Sequence, residues 1–254
     1  MNGLVFLAKA LWALGYPDQA LAKTDAACDL AYQLDHPVSL AMALDFAAGL
    51  HLLRREVQRV QARSQALLDL AQTQGLPFWV AWAKTLQGWV RAVQDKRQTG
   101  IAHMWEGLAG CRETGSELDR PWVLGLIAEL YGQGRQTEDG LAALAEALNL
   151  VENTGERWYE AELHRLRGAL LLAQSSDHQP EAATCFHQAI SIAQTQSAKS
   201  WELRASTSLA RLWQSQGKRQ EAHDLLVPVY DWFTEGFDTV DLKEAKSLLD
   251  ELAN

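Results

Sequence analysis

Arg204 and Arg211 stand seven residues apart, two turns along one helical face, in a chain that is otherwise acidic. Two planar guanidinium groups in that arrangement suit a carboxylate, offered by an acidic peptide or a peptide C-terminus. The competing reading pairs them with acidic side chains of the preceding segment, such as Glu160 or Glu162. Other reactive residue types do not converge. The seven histidines (His36, His51, His103, His164, His178, His187 and His223) form no His-Glu-x-x-His and no other spacing that holds a metal, so no metal or cofactor is expected. Cys185 and His187 lie two apart on a helix and therefore point to different faces, which denies them a thiolate–imidazole pairing. Gly132-Gln133-Gly134-Arg135-Gln136-Thr137 lacks the Gly-Lys-Ser/Thr ending of a phosphate loop and follows a helix, so it reads as a turn. With no nucleophile and base at workable spacing, no catalytic residue is assigned and the chain is read as non-enzymatic.

Composition narrows what must position these residues. The 254 residues are 48% hydrophobic and 22% charged, enough to bury a substantial core, and Pro is limited to six. Abundant Ala and Leu favour an all-α protein. A net charge of -9 without a basic run argues against nucleic acid. No apolar stretch is long enough for a bilayer, and the apolar segment 4–14 lacks the basic flank of a signal peptide. Three widely spaced cysteines fit reduced thiols, which points to the cytoplasm.

A period organises the chain. Taking Ala20 as a marker, the equivalent positions are Val60, Gly100, Gly140, Ala182 and Ala222, spaced by 40 residues with one step of 42. Seven residues further stand Ala27, Leu67, Gly107, Ala147, Ala189 and Val229. Two mostly small columns at one period mark repeated helix pairs whose second helix crosses closely behind the first. The approximate repeats are 1–37, 38–77, 78–120, 121–155, 156–198 and 199–235. First helices carry packing faces such as Leu4, Leu7, Ala8 and Leu11, or Leu124, Ile127, Ala128 and Tyr131. Trp79, Trp122, Trp158 and Trp201 stand near the starts of first helices, where an aromatic staples the turn to the preceding repeat. A last amphipathic helix, 238–253, places Leu242, Ala245, Leu248, Leu249 and Leu252 on one face as a cap. The Met1 end has no such cap, so the chain is expected either to be the C-terminal part of a longer protein or to form a homodimer through that end.

The turn Gly217-Lys218-Arg219-Gln220-Glu221-Ala222 and its copies resemble tetratricopeptide repeats, and the long period is similar to the subclass found in the maltose-regulator type of signal-transduction ATPase. More narrowly, Gly15-Tyr16-Pro17-Asp18-Gln19-Ala20-Leu21, Thr154 to Leu163, and Trp232-Phe233-Thr234-Glu235-Gly236-Phe237-Asp238-Thr239 look like the C-terminal repeat region of bacterial predicted ATPases fused to class III adenylate or guanylate cyclases. Neither the ATPase nor the cyclase domain is present in this sequence, so neither activity carries over. The resemblance implies a right-handed α-solenoid of six helix pairs plus the capping helix, one continuous domain. It also implies a concave groove lined by first-helix residues, here Lys9, Trp12, Asp45, Lys84, Arg91, Glu129, His164, Arg204, Thr207, Arg211 and Gln214, with Trp82 and Trp89 as aromatic contacts. The expected role is a protein interaction scaffold or regulatory arm of a bacterial signalling protein that binds a peptide or helix. The alternative is a small-molecule sensor domain.

Overall fold

In the computed structural model, which describes residues 1–253, the fold is all-α, with no strand among the described residues. Among the described residues thirteen helices follow one another: α1 (Asn2–Ala13), α2 (Pro17–Leu34), α3 (Pro37–Leu53), α4 (Val57–Thr73), α5 (Pro77–Val93), α6 (Arg97–Glu113), α7 (Arg120–Gln133), α8 (Thr137–Thr154), α9 (Glu160–Gln174), α10 (Gln179–Thr195), α11 (Lys199–Ser215), α12 (Arg219–Tyr230) and α13 (Val240–Ala253). A short 3-10 turn, Ser176–His178, precedes α10. From α2 to α6, and again from α8 to α13, each helix packs against the next as helical hairpins, the packing pattern of α-solenoid repeats.

The period has a direct structural cause. From α3 to α6 each helix has 17 residues and each connection three, so two helices and two turns fill the 40-residue repeat. Both turns of the hairpin require a left-handed residue. Within repeats these are Gly15, Arg55, Asp95, Arg135 and Gly217, each five residues before its marker; between repeats they are Asp35, Gly75, Gly115 with Asp119, Gly155 and Ser197, and Gly236 precedes the last helix. Glycine adopts this conformation without a Cβ clash, whereas Arg55 and Arg135 must be held there by the helices they join. The fifth repeat lacks the within-repeat residue because the 3-10 turn replaces it, which accounts for its longer step. Prolines reinforce the starts: Pro37, Pro77 and Pro180 occupy the first helical turn, where no partner for their missing N–H is needed.

The small-residue columns are the crossing points. Ala20, Val60, Ala182 and Ala222 are fully buried, as are Ala27, Leu67, Ala147 and Ala189. The closest approach joins α5 to α6. A Cβ on Gly100 would collide with the backbone of Gly88 and Ala92, and one on Gly107 with Thr85 and the Ala81 carbonyl.

The described residues form two compact units. The first comprises Met1–Trp12 and Pro17–Leu130; the second comprises Ala13–Tyr16 and the chain from Tyr131 onward. The unit boundary thus falls inside α7, where the repeat pattern predicts one continuous domain. In the second unit α13 lays Leu242, Ala245, Leu248, Leu249 and Leu252 over Leu203, Ala210, Ala222, Leu226 and Val229. That is the capping contact expected from its apolar face. One packing face differs from expectation. In α1 the buried residues are Val5, Ala8 and Trp12, while Leu7 is 44% exposed.

Candidate functional site

The groove residues expected from sequence fall into two groups, one per unit. Lys9, Trp12, Asp45, Trp82, Trp89 and Glu129 belong to the first; His164, Arg204, Thr207 and Arg211 belong to the second.

In the first unit, α1, α3 and α5 direct polar and aromatic side chains to a common centre. Trp82 on α5 donates its indole N–H to the Asp45 carboxylate on α3, in a short hydrogen bond. Lys9 on α1 reaches Asp119, in the connection before α7, at 3.1 Å. Phe78 stacks parallel to Trp82 at 6.3 Å and Trp122 lies tilted against it at 6.1 Å. Trp12 and Trp89 are buried in the walls of α1 and α5, and Glu129 is half-buried on α7. Part of Asp45 still meets solvent, yet its neighbours remove most of its hydration. Burial, reinforced by the negative charge of Asp119 and opposed by the Trp82 hydrogen bond and Lys9, pushes its carboxyl up to about 8. Asp45 is therefore a neutral acid near pH 7, able to donate as well as accept. Cys111, close enough to feel the Asp45 charge, is raised to about 11, first by burial, and stays a thiol.

The centre of the second unit is an ion-pair network. Arg204 on α11 is only 9% exposed; its Nε donates to Asp241 of α13 at 2.8 Å and its Nη1 to Glu162 of α9 at 3.3 Å. Its guanidinium also lies 5.0 Å over the Trp201 ring. Glu162 is buried and shared, accepting from Nε and Nη2 of Arg165, each at 2.8 Å, in one bidentate contact. Burial disfavours the Arg204 charge, but Asp241 and Glu162 outweigh it and the pKa rises. A groove ligand at Arg204 would have to displace two carboxylates. Of the two partners weighed from sequence, Glu162 is the one engaged. Thr207 returns its hydroxyl to the Leu203 carbonyl at 2.7 Å, within its own helix. Arg211 is exposed and sits 3.5 Å from Glu244. His164 is buried and held neutral, its pKa lowered by burial, with Glu160 opposing and Arg167 assisting. Cys185 is buried while His187 faces outward against Trp213, so the two do not meet. Gly132 to Thr137 forms the α7–α8 turn.

A feature the groove mapping only grazed is an open cleft of about 750 Å³ in the first unit. The end of α4, the start of α5 and the second half of α6 enclose it. Leu76, Pro77, Val80 and Ala81 supply its apolar lining, with Lys84 on one side and Glu106 and Glu113 on the other. The sequence did carry a signal for it. Lys84 stands in the column where the first, second and fourth repeats place Leu4, Leu44 and Leu124, a charged side chain where those repeats are apolar. Asp119 and Asp241 carried none, because both lie outside the period.

Among the described residues no three His, Cys, Asp or Glu side chains converge as a metal site, and no helix is long and apolar enough to cross a membrane. No family model matches the chain. It is similar to an uncharacterised protein of Rhizobium meliloti (strain 1021), 30% identical over 213 residues. The match takes in 83% of this chain but 20% of that protein, so the chain spans about a fifth of the length of the curated relative it matches.

Proposed function

We propose that this chain is a tetratricopeptide-type interaction arm of a larger bacterial signalling protein, working in the cytoplasm and binding a peptide or helix through the α4–α5–α6 cleft of its first unit. The observation that carries the reading is the cleft itself: an apolar floor between Leu76 and Ala81 with charges of both signs at its rim, on a stack of repeated hairpins. An apolar anchor seated between oppositely charged rims is how a short helix or extended peptide gains both affinity and orientation. The match to one fifth of a much longer bacterial protein supports a role as one part of a larger chain. That the larger protein carries ATPase and class III cyclase domains is implied by the resemblance of the repeats alone. Selection of a displayed peptide library on the folded chain, with counter-selection on Val80→Glu, tests the proposal. An enriched motif that the variant fails to retain supports it, and equal enrichment on both proteins removes the cleft from the reading.

One observation favours a second reading, a small-molecule sensor. The Asp45 carboxyl, neutral near pH 7 and set among Trp82, Trp122 and Phe78, offers a polar donor in an aromatic wall. A metabolite bound there would raise the melting temperature by mass action, and Asp45→Asn would alter that shift while leaving peptide capture intact.

A further inference from the structure

One apolar face of the first helix recurs in α3 and α11, where the element that covers it is seen. Counting back 17, 13 and 10 residues from the marker gives Ala43, Ala47 and Leu50 in α3, and Ala205, Leu209 and Leu212 in α11. All six are buried. In α3, Ala43 and Ala47 pack on Cys28 and Ala31 of α2, with the Cys28 thiol donating to the Ala43 carbonyl at 3.7 Å. In α11, Ala205, Leu209 and Leu212 pack on Phe186, Ala189 and Ile190 of α10. The covering element is thus the second helix of the preceding hairpin, presenting small residues from α2 and an aromatic, Ala and Ile from α10.

In α1 these columns hold Gly3, Leu7 and Ala10, and all three are exposed. Open space surrounds the position a Cβ of Gly3 would take. Phe6 beside them is also exposed, held on one side by an edge-on contact with Phe46 at 5.1 Å. We infer that the Gly3–Leu7–Ala10 face of α1 is a docking surface for the second helix of a further hairpin of the same type, continuing the α2–α3 and α10–α11 interfaces by the 40-residue period. The pattern small, Leu, apolar repeats that of Ala205, Leu209 and Leu212, so the fitting occupant is an α10-like helix with an aromatic followed by Ala and Ile at i+3 and i+4. This surface is separate from the proposed peptide cleft, and its test does not depend on any ligand.

A copy of residues 156–204 is joined directly to Gly3, which sets Gly3 in the register of Ala205 and brings the copied α10 over α1. Hydrogen exchange of α1 and of the added helix is then followed by mass spectrometry. The expected result is that α1 amides exchange roughly tenfold or more slowly than in the parent chain. Leu7→Glu in the fusion should abolish that protection. In the parent chain the same substitution leaves the melting temperature unchanged, since Leu7 is already exposed. Parent-like exchange in α1 overturns the inference, and so does an added α10 that stays unprotected. A parent chain that forms a dimer lost on Leu7→Glu also overturns it, by assigning the face to a second copy instead.

Discussion

Replacing Arg204 by Met separates a structural arginine from a ligand-binding one. Met keeps the apolar stem that packs on Trp201 but removes the charge that Asp241 and Glu162 share. Breaking a buried pair by deleting one partner costs about 3–5 kcal/mol, because the survivor is left charged and desolvated. Glu162 retains Arg165, which donates to it through Nε and Nη2 at 2.8 Å each, so the charge that loses most of its compensation is that of Asp241. The loss should therefore sit at the low end, about 3 kcal/mol, which for a chain of this length lowers the melting temperature by roughly 6–12 °C. Adding Asp241→Asn to Arg204→Met removes the stranded charge and should recover a large part of the loss; the two substitutions couple strongly. Calorimetry and urea titration read both numbers. A loss under about 0.5 kcal/mol for Arg204→Met, the size of an ordinary surface change, would refute the network as a stabilising element and return Arg204 to the pool of groove residues.

Further predictions concern the first unit and the turns. Asp45 has a folded pKa raised above its unfolded value, so the native state holds a proton that the unfolded chain releases, and stability falls as pH rises from about 4 to about 8. Asp45→Asn should flatten that slope in the difference between variant and parent and stabilise the protein at pH 8; an unchanged slope would contradict the burial of this carboxyl. Gly100→Ala forces a Cβ into the backbone of Gly88 and Ala92 and should cost about 1–3 kcal/mol by urea denaturation, where a neutral result would mean the α5–α6 crossing is looser than described. Arg135→Gly relieves a left-handed arginine at φ 59° and should stabilise by a few tenths to about 1 kcal/mol, since the conformational gain exceeds the entropy glycine adds to the unfolded chain. Cys28, Cys111 and Cys185 are buried, with pKa values raised first by burial, so a thiol reagent should react slowly with the native protein and rapidly after unfolding.

Legibility from sequence followed periodicity. Helix pairs, their turns and the α13 cap were readable because Ala, Gly and Leu recur at one spacing, and a crossing point tolerates few residue types. The packing face of α1 was misread because its apolar residues surround the helix, so Leu4, Leu7 and Leu11 compete with Val5, Ala8 and Trp12 and composition alone cannot choose. The candidate site was legible as helix faces but not as partners. Lys9, Asp45 and Trp82 share a centre, as a first-helix face should, whereas Asp119 and Asp241, which complete the two polar centres, sit in elements without a repeat pattern. Arg204 and Arg211 look equivalent in sequence, yet one is buried between two carboxylates and the other lies at the surface. Both reach α13, at Asp241 and Glu244, and only Arg204 also meets the buried Glu162 of α9, a contact that the tertiary fold supplies.

The proposed role as an interaction arm is tested most directly by placing a photo-crosslinking phenylalanine derivative at position 84, on the rim of the cleft, in the full-length protein within cells of its source. Position 152, exposed on α8, serves as the control. The account predicts a discrete crosslinked protein adduct at 84 that is absent at 152 and is lost when Val80 is also changed to Glu. Illumination that yields no adduct at 84, or the same adducts at 84 and 152, would contradict it.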